Sequence, residues 1–284
     1  MWGVLAFYTT SALFYISDVV QKKTSENRNG WTFIFFRSIF TFLVTTIIAL
    51  FFNEPLSELS LPSILQMMAS CLICMLGLYF YLRSVKVNRF ANVGALSLVG
   101  NPIQWLLGWI IFNEEVVFWD IPIMLLLSFG SILQLSVKTS FEGAKWVVLS
   151  SLSWTIGYAW LSNVIDHFPL AWSVAVMEGV LVLGSGVIVM WKGDLKKRDW
   201  VIDRAWSLRM MLLGVVIFLA SYCNHFSYRE NDLSWVSILQ LTTFPIYYLL
   251  SLRIFKEKPD TREWITFTTA FLGLLGVVLK AYCW

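Results

Sequence analysis

Asn101-Pro102-Ile103-Gln104, an apolar run, then Phe112-Asn113-Glu114; and later Phe244-Pro245-Ile246-Tyr247, an apolar run, then Phe255-Lys256-Glu257. In each segment Glu follows Pro by 12 residues, and the second copy lies 143 residues after the first. Another match lies upstream: Trp31 precedes Arg37 by six residues and Trp172 precedes Glu178 by six, at an offset of 141. Two matches at nearly one offset mark an internal repeat, and repeats fix architecture. The repeat units run over residues 1–140 and 141–284.

What each unit contains follows from hydropathy. Of the 284 residues, 58% are hydrophobic and 14% charged, with mean hydropathy +0.69, whereas a soluble globular domain carries about 25% charge. Such a chain cannot cover a water-facing surface. Fifteen Trp and ten Tyr suit membrane interfaces. A net charge of +3, from 21 basic and 18 acidic residues, is too balanced for a nucleic-acid partner. Spanning the hydrocarbon takes roughly 20 residues of helix. Apolar stretches of that size fall at 2–20, 31–52, 62–82, 91–112, 120–138, 146–165, 169–191, 207–225, 234–255 and 263–282. No Lys/Arg-rich region precedes the first, which therefore reads as a mature helix and not a signal peptide. Five spans per repeat is an odd number, so the second copy enters the membrane from the opposite side. The expected fold is an all-α polytopic membrane protein with ten transmembrane helices in two inverted-topology repeats of five.

Basic residues cluster after spans 1, 3, 5, 7 and 9: Lys22, Lys23 and Arg28; Arg83, Lys86 and Arg89; Lys138 and Lys145; a group over 192–204; and Arg253, Lys256, Lys258 and Arg262. The loops after spans 2, 4 and 6 hold none, and that after span 8 only Arg229. The positive-inside rule then places both termini outside the cell membrane. The four cysteines form no disulfide framework. Cys71 and Cys74 lie inside an apolar stretch and read as packing, as do Cys223 and Cys283.

The ten-span plan, Gly94-Ala95-Leu96-Ser97 before Pro102 and Glu114, and the second Pro245 and Glu257 resemble the EamA-type branch of the drug/metabolite transporter superfamily. Arg37 looks like the basic residue these proteins often carry in span 2. The resemblance covers the whole chain. It implies a transporter working by alternating access, with cytoplasmic termini, against the charge bias. Three positions depart from the family: Asn113 and Lys256 stand where Gly is usual, and Glu178 where Arg or an apolar residue is common.

The candidate site residues follow from charge and polarity at membrane depth. Glu178 lies nine residues into span 7, where a charge is costly unless paired or hydrated. It could attract a cationic solute or carry a proton; the structural alternative is a fixed ion pair or hydrogen-bonded acid. Arg37 lies six residues into span 2, and its side chain could reach the headgroups instead. As equivalent positions of opposite repeats, the two are expected to bind each other in one conformation or the two ends of a zwitterion. Pro102 and Pro245 each weaken a helix mid-membrane and could serve gating. Asn101, Gln104 and Gln240 lie near them as polar lining. In span 6, Trp154 and Tyr158 are one turn apart and suit an organic cation or aromatic solute; Trp105 and Trp109 repeat that spacing in span 4. Packing explains any single aromatic as well.

Trp119, Trp146, Trp191, Trp206 and Trp264 near span ends read as interface anchors. His167 and His225 lie at span ends without zinc-site spacing, so no metal or cofactor is expected. Asp18 with Lys22 reads as an i,i+4 pair. Gly179, Gly184 and Gly186, with Gly273 and Gly276, permit close helix contact, the last two as readily in a homodimer as within a monomer. No nucleotide-binding segment or clustered catalytic group is present, so an ATP-driven pump or enzyme is disfavoured. The expected function is secondary transport of a small polar or amphipathic metabolite, an amino acid or organic cation before others, with proton coupling open. The alternatives are a sugar-phosphate or nucleotide-type exchanger and a non-transporting scaffold or receptor.

Overall fold

The computed structural model describes residues 2–25, 28–55, 60–88, 93–94, 97–115, 117–135, 141–192, 203–256, 258 and 261–283. These form eleven α-helices and one 3-10 turn: α1 (Trp2–Ser25), α2 (Gly30–Phe52), α3 (Leu61–Val87), the turn Leu98–Gly100, α4 (Asn101–Ile110), α5 (Asp120–Leu135), α6 (Phe141–Ile165), α7 (Leu170–Lys192), α8 (Arg204–Glu230), α9 (Leu233–Leu241), α10 (Phe244–Phe255) and α11 (Thr261–Cys283). Five of them, α1, α2, α3, α7 and α8, are long and apolar enough to cross a membrane. The chain is an all-helical, polytopic membrane protein.

Helix ends are set by local chemistry. The Asn29 side chain accepts from Trp31 N at 3.0 Å and starts α2, and Asn53 ends it in the left-handed conformation at φ 51°. Asp203 Oδ1 accepts from Trp206 N at 2.6 Å and starts α8. The ninth span breaks into α9 and α10 at Thr242–Thr243, with Pro245 in the first turn of α10; Pro102 likewise sits in the first turn of α4, directly after the 3-10 turn. A proline lacks the N–H that a helix interior needs, so both helices restart where that donor is dispensable. Asn113 and Lys256, 143 residues apart, take φ 54° and 52°. Those left-handed values explain why glycine is usual at these two positions. Glu257, Arg89, Lys138 and most of the 192–204 group lie outside the described residues.

The helices cluster into two compact units, Met1–Leu82 with Ile156–Glu230, and Arg83–Thr155 with Asn231–Trp284. In the first, α2 packs on α7 and α8, and α1 on α8. Its larger apolar cluster holds Trp31, Phe33, Ile34, Met75, Leu181, Met210 and Ile217; a smaller one holds Ala49, Ala171, Val174, Ala175 and Phe218. Gly179, Gly184 and Gly186 admit Phe42, Met75 and Phe35 against the α7 backbone. In the second unit, α5 packs on α11 and α4 on α9. Gly273 and Gly276 face Leu127 and Ile123 of α5, so these glycines serve an internal contact.

Trp206 departs from its expected role as an interface anchor. It is buried, edge-on to Phe40 with the Arg28 guanidinium over its ring. Trp119, Trp191 and Trp264 are exposed as expected. Cys71 and Cys74 are buried free thiols.

Candidate functional site

Along α2 and α7 a polar layer separates the two apolar clusters. The buried face of α2 reads Trp31, Ile34, Ser38, Thr41, Thr45 and Ala49, a spacing of three or four residues that places them on one side of the helix. Arg37 lies next to that stripe, and Glu178 occupies the matching level of antiparallel α7, after Val174 and before Leu181.

The two charges meet. Arg37 Nη1 donates to Glu178 Oε2 at 2.9 Å, and Thr41 Oγ1 donates to the same oxygen at 2.5 Å. Arg37 Nη1 also donates to Ser38 Oγ at 3.1 Å. Glu178 is 0% exposed and Arg37 4%. The option of Arg37 reaching the headgroups is therefore not taken. Its Cα lies roughly 10 Å along α2 from the helix start at 1.5 Å per residue, and its guanidinium turns inward to the carboxylate. Pairing is what makes the burial tolerable, because an isolated charge at that depth would cost several kcal/mol. The pair is one-sided: Glu178 Oε1 and Arg37 Nε have no partner among the described residues. Such a centre keeps one acceptor and one donor in reserve.

Thr41 and Ser38 were not singled out from sequence. The signal was there in the Ser38, Thr41 and Thr45 stripe, one turn from Arg37. On α8, His225 is buried and its Nδ1 lies 2.6 Å from Ser173 Oγ on α7. This histidine is not at a helix end as expected. The α8 helix continues to Glu230, and Arg229 Nη2 donates to the Ile165 and Phe168 carbonyls at 2.5 Å each. Tyr158 stacks on Tyr228, with centroids 5.5 Å apart and planes at 14°. Trp154 is partly exposed.

In the second unit, Asn101, Gln104 and Trp105 are buried on α4, and Gln240 is half-buried at the end of α9, where Thr243 Oγ1 donates to its carbonyl at 2.7 Å. The Glu114 carboxylate accepts from Leu233 N and Ser234 N, both at 2.7 Å, and so caps α9. Glu54 Oε2 does the same for α7 in the first unit, accepting from Ala171 N at 3.0 Å. The acid after span 4 thus has a structural job, anchoring the start of a broken helix. Among the described residues no group of three or more His, Cys, Asp or Glu is placed to hold a metal ion.

The profile of the EamA-like transporter family matches the chain twice, over residues 1–137 and 141–279. A solved structure described only as the crystal structure of a protein aligns with TM-score 0.73 over 99% of this chain and 97% of that chain. At 14% identity that likeness speaks for the fold alone. No curated protein sequence matches.

Proposed function

This chain belongs to the EamA-like transporter family, and on that premise we propose that it is a secondary transporter of a small polar or amphipathic metabolite, moving it by alternating access. The solute class the site supports best is an amino acid or organic cation. One observation carries this reading: Arg37 and Glu178, 141 residues apart, form a fully buried ion pair that leaves a carboxylate oxygen unused.

An ammonium has three N–H donors and would find in Glu178 Oε1 a desolvated anionic acceptor. With Arg37 bound to the other oxygen, the empty site is neutral and stable in the membrane; a cationic solute then competes with Arg37 for one carboxylate. Coupling to a proton gradient belongs to the same proposal and is read out by uptake with and without one. A sugar phosphate suits this centre less well, because the buried base is already neutralised. The charge bias supports termini outside the cell membrane.

The test is a stability screen of amino acids and organic amines on purified protein, wild type beside Glu178→Gln, across pH. A ligand selective for the folded state raises the melting temperature by mass action. A stabilising amine or zwitterion whose effect disappears in Glu178→Gln supports the assignment. A hit that stabilises both proteins equally removes Glu178 from the binding site.

A further inference from the structure

One face of α4 carries two buried donors that no described residue uses. Asn101 opens the helix and Trp105 follows one turn later, so their side chains share a face. Asn101 is 5% exposed and Trp105 7%. Even so, Asn101 Nδ2 and Trp105 Nε1 find no acceptor among the described residues. Buried polar groups are paired in the great majority of folded proteins, and an exception calls for a reason.

Loose packing is not the reason here. The start of α4 is bolted to α6: Gly100 N donates to Ser151 Oγ at 2.8 Å, and Ser151 Oγ donates to Ser97 O at 2.5 Å. A Cβ at Gly100 would collide with Thr155 Oγ1 and Ser151 Oγ, so the 3-10 turn lies directly against that helix. The two donors are therefore held in place before any ligand arrives, which lowers the ordering cost of binding.

Their chemistry is one-sided as well. Side chains on a helix leave the backbone leaning toward its N-terminus, and Asn101 lies one turn N-terminal to Trp105. At that end the Asn101 N–H already donates to Leu98 O and Pro102 has no N–H, so the free donors are the two side chains, and the helix dipole adds a positive end. Two side-chain N–H groups and a positive helix end together want an oxygen acceptor, and a negatively charged one before a neutral one.

We infer that the first turns of α4 form a carboxylate-binding subsite, with Asn101 Nδ2 and Trp105 Nε1 as its donors. It rests on the transport reading only in taking the physiological ligand to be the transported solute. If that solute has a carboxylate as well as an amine, the amino acids move ahead of simple organic cations as the substrate class.

The experiment follows the indole N–H resonances of isotope-labelled tryptophan in nanodisc-embedded full-length protein, with Trp105→Phe identifying the Trp105 signal. Sodium acetate, acetamide and ethylammonium chloride are titrated at matched ionic strength. Acetate is expected to move the Trp105 signal downfield and to saturate, acetamide to act more weakly, and ethylammonium to leave it in place. Asn101→Ala is expected to raise the half-saturating acetate concentration about tenfold, the loss of one hydrogen bond to a charged group. Asn101→Asp, which opposes an anion at nearly unchanged size, replaces it if the alanine variant does not fold.

A Trp105 signal that ignores acetate, as it would if a fixed water held the N–H, overturns the inference. So does an equal response to acetate and chloride. Acetate binding without solute uptake in proteoliposomes would count against transport and leave the subsite standing; uptake with a silent Trp105 signal would do the reverse.

Discussion

Replacing Glu178 by Leu leaves Arg37, a residue only 4% exposed, with Ser38 Oγ still accepting from its Nη1 and no carboxylate opposite. Removing one partner of a buried ion pair costs about 3–5 kcal/mol, because the survivor is a buried charge without compensation. At about 2–4 °C per kcal/mol for a chain of this size class, the melting temperature should fall by roughly 6–20 °C. Arg37→Met should cost a similar amount, since it strands the carboxylate with Thr41 alone. The double variant Arg37→Met/Glu178→Leu should recover most of the loss, because exchanging a whole buried pair for apolar side chains is neutral or stabilising by about 1–4 kcal/mol. Cys71 and Cys74 are buried, so in a background with Cys223 and Cys283 replaced by Ser a thiol-reactive fluorophore reports unfolding in detergent. A Glu178→Leu protein melting within about 2 °C of wild type, where several kcal/mol are expected, would refute the reasoning. So would a double variant no more stable than the worse single one.

Four further outcomes are expected. Glu114→Ala strips the cap from α9 and should cost about 0.5–2 kcal/mol in the same melting assay, the usual worth of an N-terminal cap. Gly157→Ala places a Cβ against Cys74 Sγ and should cost about 1–3 kcal/mol by overpacking; adding Cys74→Ala should return most of it. Lys256→Gly relieves the left-handed backbone at φ 52° and should stabilise by up to about 1 kcal/mol, whereas Lys256→Val should destabilise. Partial burial and the nearby Glu114 and Glu115 raise the Asp232 carboxyl above its ordinary 3.8. The folded protein therefore holds that proton more tightly than the unfolded chain, and stability falls as pH rises from 3.8 through the folded value. Asp232→Asn should melt above wild type at neutral pH, with the difference fading in acid; an equal difference at all pH values would contradict this.

The repeat was legible because it rests on spacing, which survives in sequence. The 143-residue offset that joined Pro102 to Pro245 also joins Asn113 to Lys256, whose shared backbone conformation could not be read from an Asn and a Lys. The partnership of Arg37 with Glu178 was legible as one of two options. That both side chains turn inward and meet was not, because lipid is as apolar as a protein core and hydrophobicity does not say which helix face points inward. On α2 the inward face is the polar one: Thr41 and Thr45 are fully buried while Phe51 is 84% exposed. Trp206 was misread for the same reason, since an aromatic near a helix end can belong to the headgroup layer or, as here, to the core. His225 was placed at a helix end because hydropathy fades there; the helix continues because Arg229 ties its last turn to the Ile165 and Phe168 carbonyls.

The most direct test of solute transport through the Arg37–Glu178 centre is uptake in proteoliposomes. Wild-type and Glu178→Gln proteins would be given a radiolabelled panel of amino acids and organic amines, with and without an imposed proton gradient. The expected result is saturable accumulation of at least one carboxylate-bearing amine by the wild type, and its loss in a Glu178→Gln protein that remains folded. Accumulation that proceeds unchanged in Glu178→Gln, or none of any compound by folded wild-type protein, would contradict the account.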